Sequence, residues 1–303
     1  MNGVQIEFPF EPYPAKKQMM AKIIQSLRTR TNALLESPTG SGKSLAILCA
    51  ALAWRNKQAS EAANVKCHTE NESTTQYNPP KIFIACRMHK QLAQLTNELR
   101  RNTRYRPAMA VLGSRDHLCI HEQIRDKEGG FKVDACKKSV EQNRCHYFER
   151  IRKLADHQSL TKGGENEIWD IEDLIHLGQE IRGCPYYAAR ALADKAEIII
   201  CPYNYLLDPV IRLNETDREF FKNGVYIFDE AYNLEDVARN AATVEVTEKQ
   251  MVIMRFELHS LCNNNVLPDA HGRLLDVMEK LYNMTINPNH AYNIADNENM
   301  LSL

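Results

Sequence analysis

No run of apolar residues in this 303-residue chain is long enough to cross a bilayer; the longest, Leu45 to Trp54, falls well short of a membrane span. The first residues, Met1-Asn2-Gly3-Val4, lack the basic then apolar layout of a secretory signal, so membrane and secreted classes are disfavoured. Charge of one sign is also missing. The 38 basic and 39 acidic side chains leave a formal charge of -1, which excludes a chain that coats nucleic acid by bulk charge and makes any basic surface local. The nine cysteines include no Cys-x-x-Cys pair and form no dense framework, which argues for a reducing compartment with cysteines as core fillers or metal ligands. No internal repeat is evident, and the 44% hydrophobic content suffices for real cores.

What is present alternates like an α/β protein. Met19, Met20, Ile23, Ile24 and Leu27 recur at helical spacing over residues 15 to 28. Ala33-Leu34-Leu35-Glu36 reads as a strand that runs into Ser37-Pro38-Thr39-Gly40-Ser41-Gly42-Lys43-Ser44, and Leu45 to Trp54 then reads as a buried crossover helix. Residues 56 to 80 are polar and end in Pro79-Pro80, so a flexible surface excursion is expected there. Further strands are expected at Lys81 to Ala85, Ala108 to Leu112, Glu197 to Cys201 and Gly224 to Phe228, with a helix placing Leu92, Leu95 and Leu99 inward. Between Gly113 and about Arg190 the pattern breaks into charged, cysteine-bearing helical pieces, as an inserted small domain would. From about Thr243 the chain turns helical.

Two motifs carry chemistry. A turn that cradles phosphates needs exposed backbone N–H groups, small residues for close approach, a lysine for the outer phosphates and a hydroxyl for magnesium. Gly40, Gly42, Lys43 and Ser44 supply these, within the binding stretch Ser37, Pro38, Thr39, Gly40, Ser41, Gly42, Lys43 and Ser44. Ser37 stands where the formal pattern has glycine. The second motif is the apolar strand Val225-Tyr226-Ile227-Phe228 ending in Asp229-Glu230. One carboxylate can hold Mg2+ and the next can polarise the attacking water, which makes Asp229 and Glu230 the catalytic candidates. No Asn-Lys-x-Asp motif reads guanine, so ATP is the expected nucleotide.

These motifs stand among others. Phe8-Pro9-Phe10-Glu11-Pro12-Tyr13-Pro14, Arg87 to Leu92, Ser114-Arg115-Asp116-His117, Trp169 to Leu174, Cys184-Pro185-Tyr186-Tyr187-Ala188-Ala189-Arg190 and Cys201 to Asp208 occur in order along nearly the whole chain. Together with the phosphate turn they resemble the superfamily 2 iron-sulfur DNA helicases of the xeroderma pigmentosum group D type, most nearly the Fanconi anaemia group J kind. The resemblance implies a RecA-like lobe with a parallel sheet, in two parts at 1–112 and 191–242. An iron-sulfur domain at 113–190 would interrupt it, and a helical arch would begin at 243–303. It implies an ATP-dependent 5'-to-3' DNA helicase of nuclear DNA repair, acting on single-stranded DNA and junctions, with DNA-repair proteins as possible partners. The different-class alternative is a non-catalytic ATP- and DNA-binding module.

The resemblance assigns Cys119, Cys136, Cys145 and Cys184 to a [4Fe-4S] cluster. Their wide spacing alone is equally that of scattered buried cysteines, and a zinc site is a further alternative. Cys49, Cys86 and Cys201 lie in apolar elements and read as core. Arg87 and His89 fall in the segment that tracks single-stranded DNA in such helicases. Arg100 to Arg106 read as a solvated helix face. Lys137, Lys138, Arg144, Arg150 and Arg152 could line the mouth of the inserted domain. Two departures from the family stand out: Tyr232 where histidine is usual, and Lys16 where glutamine usually reads adenine.

Overall fold

The computed structural model describes residues 1–38, 40–68, 79–215 and 218–286, in two compact units, Met1–Ala241 and Ala242–Leu303. In the first unit, α1 (Pro14–Thr29) opens on proline, whose fixed φ and missing N–H suit the first helical position, and buries Met20, Ile23 and Ile24. Next comes α2 (Lys43–His68), whose residues Leu45 to Trp54 are all buried, as the unbroken apolar run requires. The helix continues where a surface excursion was expected. Residues 56 to 68 contain neither proline nor glycine, and Ala59, Ala62, Ala63, Lys57, Gln58 and Glu61 are good helix formers, so polarity there does not mark a loop. The rest of that expected excursion, residues 69 to 78, lies outside the described residues.

The chain then runs β1 (Ile82–Cys86), α3 (His89–Asn102) and β2 (Met109–Val111). Five helices follow: α4 (Arg115–Leu118), α5 (Gly129–Glu141), α6 (Ile151–Ala155), α7 (Ile171–Ile181) and α8 (Pro185–Lys195). Gly129-Gly130 forms the first turn of α5. The unit closes with β3 (Ile198–Pro202), α9 (Asn204–Leu207), α10 (Pro209–Glu215), β4 (Val225–Phe228) and α11 (Leu234–Ala242).

The four strands form one parallel sheet in the order β2-β3-β1-β4. Ile82 aligns with Ile198 on one side and Val225 on the other. The inner strands are buried on both faces, which is why they read as continuous apolar runs rather than alternating ones. The expected strand at Ala33 to Glu36 is absent. Those residues are irregular and Leu34 is 92% exposed, because a strand persists only where a neighbour completes its hydrogen-bond ladder and none of the four pairs with it. The β4 strand is only partly buried and forms one edge of the sheet.

The helical segment between β2 and β3 shares the core of the lobe: Leu154, Trp169, Leu174 and Ala188 are buried in the same cluster as the strands. Its attachment to α3 runs through Arg100. That side chain pairs with Asp173 and donates from Nε to the carbonyl of Ile168 at 2.8 Å, so Arg100 is a structural clamp and not part of a solvated face. Asp173 in turn completes a reciprocal capping box with Asp170, both bonds at 3.0 Å. The second unit is an antiparallel pair, α12 (Glu248–Asn263) and α13 (Pro268–Ile286), tied by Arg255 to Glu279 at 2.7 Å and by Arg255 stacked on Tyr282. Among the described residues no helix is long and apolar enough to cross a membrane.

Candidate nucleotide site and cysteine centre

The glycine-rich turn sits directly before α2. Gly40 and Gly42 have φ of +74° and +75°, a left-handed backbone that side-chain-bearing residues avoid, so the two glycines let the chain double back at this point. Ser37 and Ser41 hydroxyls meet at 2.7 Å across the turn, and Ser41 N–H reaches the Pro38 carbonyl at 3.4 Å. Lys43 is the first residue of α2 and Ser44 the second, so the turn delivers its last residues to a helix N-terminus, where unpaired N–H groups favour an anion. Thr39 lies outside the described residues. A cavity of about 220 Å³ opens beside the turn, lined by Tyr13, Lys16, Met19, Ser37, Gly42 and Lys43 among others.

Asp229 and Glu230 leave the end of β4 toward the same place. The Asp229 N–H bonds to the Ala85 carbonyl at 3.0 Å, one ladder step beyond the paired strand. Burial pushes the Asp229 carboxyl above its usual range. Lys43 opposes that shift by pulling it down, while Glu230 adds to it. The Lys43 charge is therefore felt at the end of β4.

Glu230 adopts a left-handed backbone, φ +60°, which turns its side chain back toward α3. Its Oε2 accepts a hydrogen bond from Gln91 Nε2 at 2.6 Å, and the Tyr232 hydroxyl reaches the same oxygen at 3.5 Å. Gln91 was not singled out from the sequence. Its carboxamide works at both ends, because Oε1 also accepts from the Met88 N–H at 3.0 Å and so caps α3.

Arg87, just past β1, donates to Asn233 Oδ1 at 2.6 Å, three residues after Glu230. The segment containing Arg87 is therefore tied to the acidic turn through two contacts, Arg87 to Asn233 and Gln91 to Glu230. His89 packs its ring 3.6 Å from that of His117; burial and then His117 hold its pKa below the usual 6.5. Its Nδ1 is buried without a hydrogen-bond partner.

The four cysteines assigned by resemblance come from four places: Cys119 at the end of α4, Cys136 within α5, Cys145 after it, and Cys184 capping α8. They converge. Burial raises the pKa of Cys119, Cys145 and Cys184, the last to about 12. Further increases come from neighbours: Cys136 and Cys145 act on Cys119, Cys136 on Cys145, and Cys145 and Cys119 on Cys184. Backbone N–H groups of Tyr186 and Tyr187 face the Cys184 sulfur, and Arg115, stacked 4.1 Å above Tyr186, donates to the Tyr187 hydroxyl at 3.4 Å. The buried Lys132 ammonium, paired with Asp116 at 2.8 Å, joins α5 to α4. Among the described residues no three histidine, cysteine or acidic side chains close upon a single metal ion. Cys49, Cys86 and Cys201 are fully buried, as expected for core residues.

Comparison with known proteins gives the chain's family. The DEAD_2 family profile matches residues 84–251. The regulator of telomere elongation helicase 1 of Rattus norvegicus is 35% identical over 297 residues, 90% of this chain and 23% of the relative. Its Homo sapiens counterpart is 38% identical over 270 residues, 82% and 22% respectively. The chain thus spans less than a quarter of the length of these curated relatives. A solved structure of the XPD helicase superposes with a TM-score of 0.52 at 18% identity, covering 88% of this chain and 40% of that one, and shares the α/β lobe.

Proposed function

Because this chain belongs to the DEAD_2 family, we propose that it forms the nucleotide-binding RecA-like lobe of an ATP-dependent DNA helicase of the xeroderma pigmentosum group D type. The observation that carries the reading is the glycine turn itself, left-handed at Gly40 and Gly42, which delivers Lys43 and Ser44 to the N-terminus of α2. In this reading the N–H groups of residues 40 to 44 and the Lys43 ammonium hold the phosphates, while Ser44 and Asp229 hold magnesium. Glu230, held by Gln91, accepts a proton from the attacking water. Arg87 and His89 contact the DNA backbone. The Arg87–Asn233 bond would let strand binding bias the acidic turn, with Tyr232 in the position the family usually gives to histidine.

The cysteine centre supports an iron-sulfur cluster. A mononuclear zinc site with Zn–S bonds near 2.3 Å draws its sulfurs to about 3.8 Å from one another. A four-iron cluster takes one thiolate per iron and asks for wider spacing, and the thiols of Cys119, Cys136, Cys145 and Cys184 are near enough to influence one another. Such a cluster would supply thiolate-iron bonds that crosslink α4, α5 and α8, while Arg115 and the Tyr186 and Tyr187 amides would stabilise its negative charge. The relatives' names speak of telomere elongation and of a helicase; nuclear DNA repair, with single-stranded DNA and junctions as substrates, is the reading that the family resemblance implies. The test is strand separation by the full-length gene product on duplexes with a 5' or a 3' tail. Unwinding from the 5' tail alone, dependent on ATP, is expected; ATP and DNA binding without unwinding from either tail would favour a non-catalytic binding module.

A further inference from the structure

The cavity beside the glycine turn contains a second cation that the phosphate motif does not require. Lys16, in the first turn of α1, extends to the turn itself: its Nζ lies 2.8 Å, and its Cε 3.1 Å, from the point where a Cβ on Gly42 would stand. Three rings surround the same ammonium, with centroids at 4.9 Å for Phe10, 5.7 Å for Tyr13 and 5.8 Å for Phe8, distances at which a ring face attracts a cation. Phe8 and Phe10 are themselves locked edge to face at 5.0 Å. The neighbouring Lys17 takes Glu11 as its ion pair, whereas among the described residues no carboxylate pairs with Lys16. The aromatic faces thus hold the half-buried side chain in place without neutralising it.

The chemistry of that head group decides what it can read. Adenine offers one donor and one acceptor on its N6/N7 edge, which a carboxamide matches; an ammonium has three donors and no acceptor. Phosphate oxygens ask only for donors and positive charge. Lys16 points at Gly42, the residue before Lys43, and both lysines line one cavity.

We propose that Lys16 is a second phosphate-binding cation of this site, and that the site therefore selects its ligand by the polyphosphate and discriminates little among bases. The proposal rests on the reading of the glycine turn as a phosphate site. It also gives Gly42 a further role, since any Cβ there would displace the Lys16 ammonium as well as strain the turn.

The experiment is calorimetric titration of the full chain with the magnesium salts of ATP, GTP, CTP and UTP and with inorganic tripolyphosphate. The wild type is compared with Lys16→Met, Lys16→Gln and Lys43→Ala. The methionine keeps the stem against the rings and removes only the charge. Expected are affinities for the four nucleotides within about threefold of one another. Lys16→Met should lose about tenfold for all five ligands alike, the size of one charge-assisted contact, more at low salt. Lys16→Gln should lose the same for tripolyphosphate yet gain a preference for ATP over GTP. A wild type that prefers ATP to GTP by tenfold or more overturns the proposal. So does unchanged tripolyphosphate affinity in both Lys16 variants while Lys43→Ala loses binding, a result that leaves the phosphate site standing. Binding that survives Lys43→Ala undiminished, or a wild type that binds none of the five, overturns the phosphate-site reading and this proposal together.

Discussion

Replacing Lys43 with alanine should move nucleotide affinity and protein stability in opposite directions, and the structure sets both magnitudes. Lys43 is the first residue of α2, and among the described residues no acidic side chain forms an ion pair with it. A positive charge at a helix N-terminus opposes the helix dipole by about 0.3–1 kcal/mol, so its removal should leave the ligand-free protein as stable or slightly more so. For a unit of this size that corresponds to a rise in melting temperature of at most about 4 °C. The bound state behaves differently. A charge-assisted phosphate contact is worth about 1.5–3 kcal/mol, a loss of roughly 10- to 150-fold in affinity, and the nearby Lys16 ammonium should keep the loss toward the lower figure. The loss has a second component: without Lys43, only the Glu230 backbone N–H is left to oppose burial and the Glu230 charge, so the Asp229 carboxyl rises further, which weakens its hold on magnesium. Titration with MgATP and thermal melting without ligand are the two measurements. An ATP affinity within threefold of wild type would refute the phosphate role, and a melting temperature lowered by several degrees would show that Lys43 is structural.

Three other outcomes are expected. Gln91→Leu removes the 2.6 Å bond to Glu230, so ATP turnover should fall about tenfold with ATP binding unchanged; equal losses in both would mean that the bond only supports the fold. Glu197→Ala strands the nearly buried Arg55 guanidinium, now paired at 2.5 Å, and should destabilise the first unit by about 3 kcal/mol in denaturant unfolding; a change within ~0.5 kcal/mol would show that Arg55 finds water instead. Cys136→Ser should abolish the iron and acid-labile sulfide of anaerobically purified protein, because a hard hydroxyl replaces a soft thiolate, and retention of both would remove Cys136 from the ligand set.

The parts of this fold that were legible in the sequence depend on local pattern. The phosphate turn needs glycines, a lysine and a hydroxyl at fixed offsets, and the strands of a parallel sheet are apolar throughout, so Gly40 to Ser44 and the strand ending at Asp229 could both be read directly. The errors came from partners far away in the chain. Ala33 to Glu36 has the composition of a strand, but strand formation depends on a neighbouring ladder, which composition does not record. Arg100 looked solvated because its partner, Asp173, is in another element. Gln91 lies in the Arg87 to Leu92 segment, yet nothing local marks its role: a polar residue in the first turn of an amphipathic helix is ordinary, and its bond to Glu230 depends on a turn far along the chain. Residues 56 to 68 were misread for the opposite reason, since their polarity was given more weight than their helix propensity.

The central claim is that Asp229 and Glu230 make the glycine-turn site an ATP-hydrolysing motor driven by DNA. ATP turnover by the full-length gene product, with and without single-stranded DNA, tests it most directly in wild type and Glu230→Gln. The amide keeps the shape of the carboxylate and cannot accept a proton from water, so the variant should bind ATP like the wild type and lose about 10²- to 10⁴-fold in DNA-stimulated turnover. Turnover that single-stranded DNA does not raise in the wild type, or that survives Glu230→Gln at the wild-type rate, would contradict it.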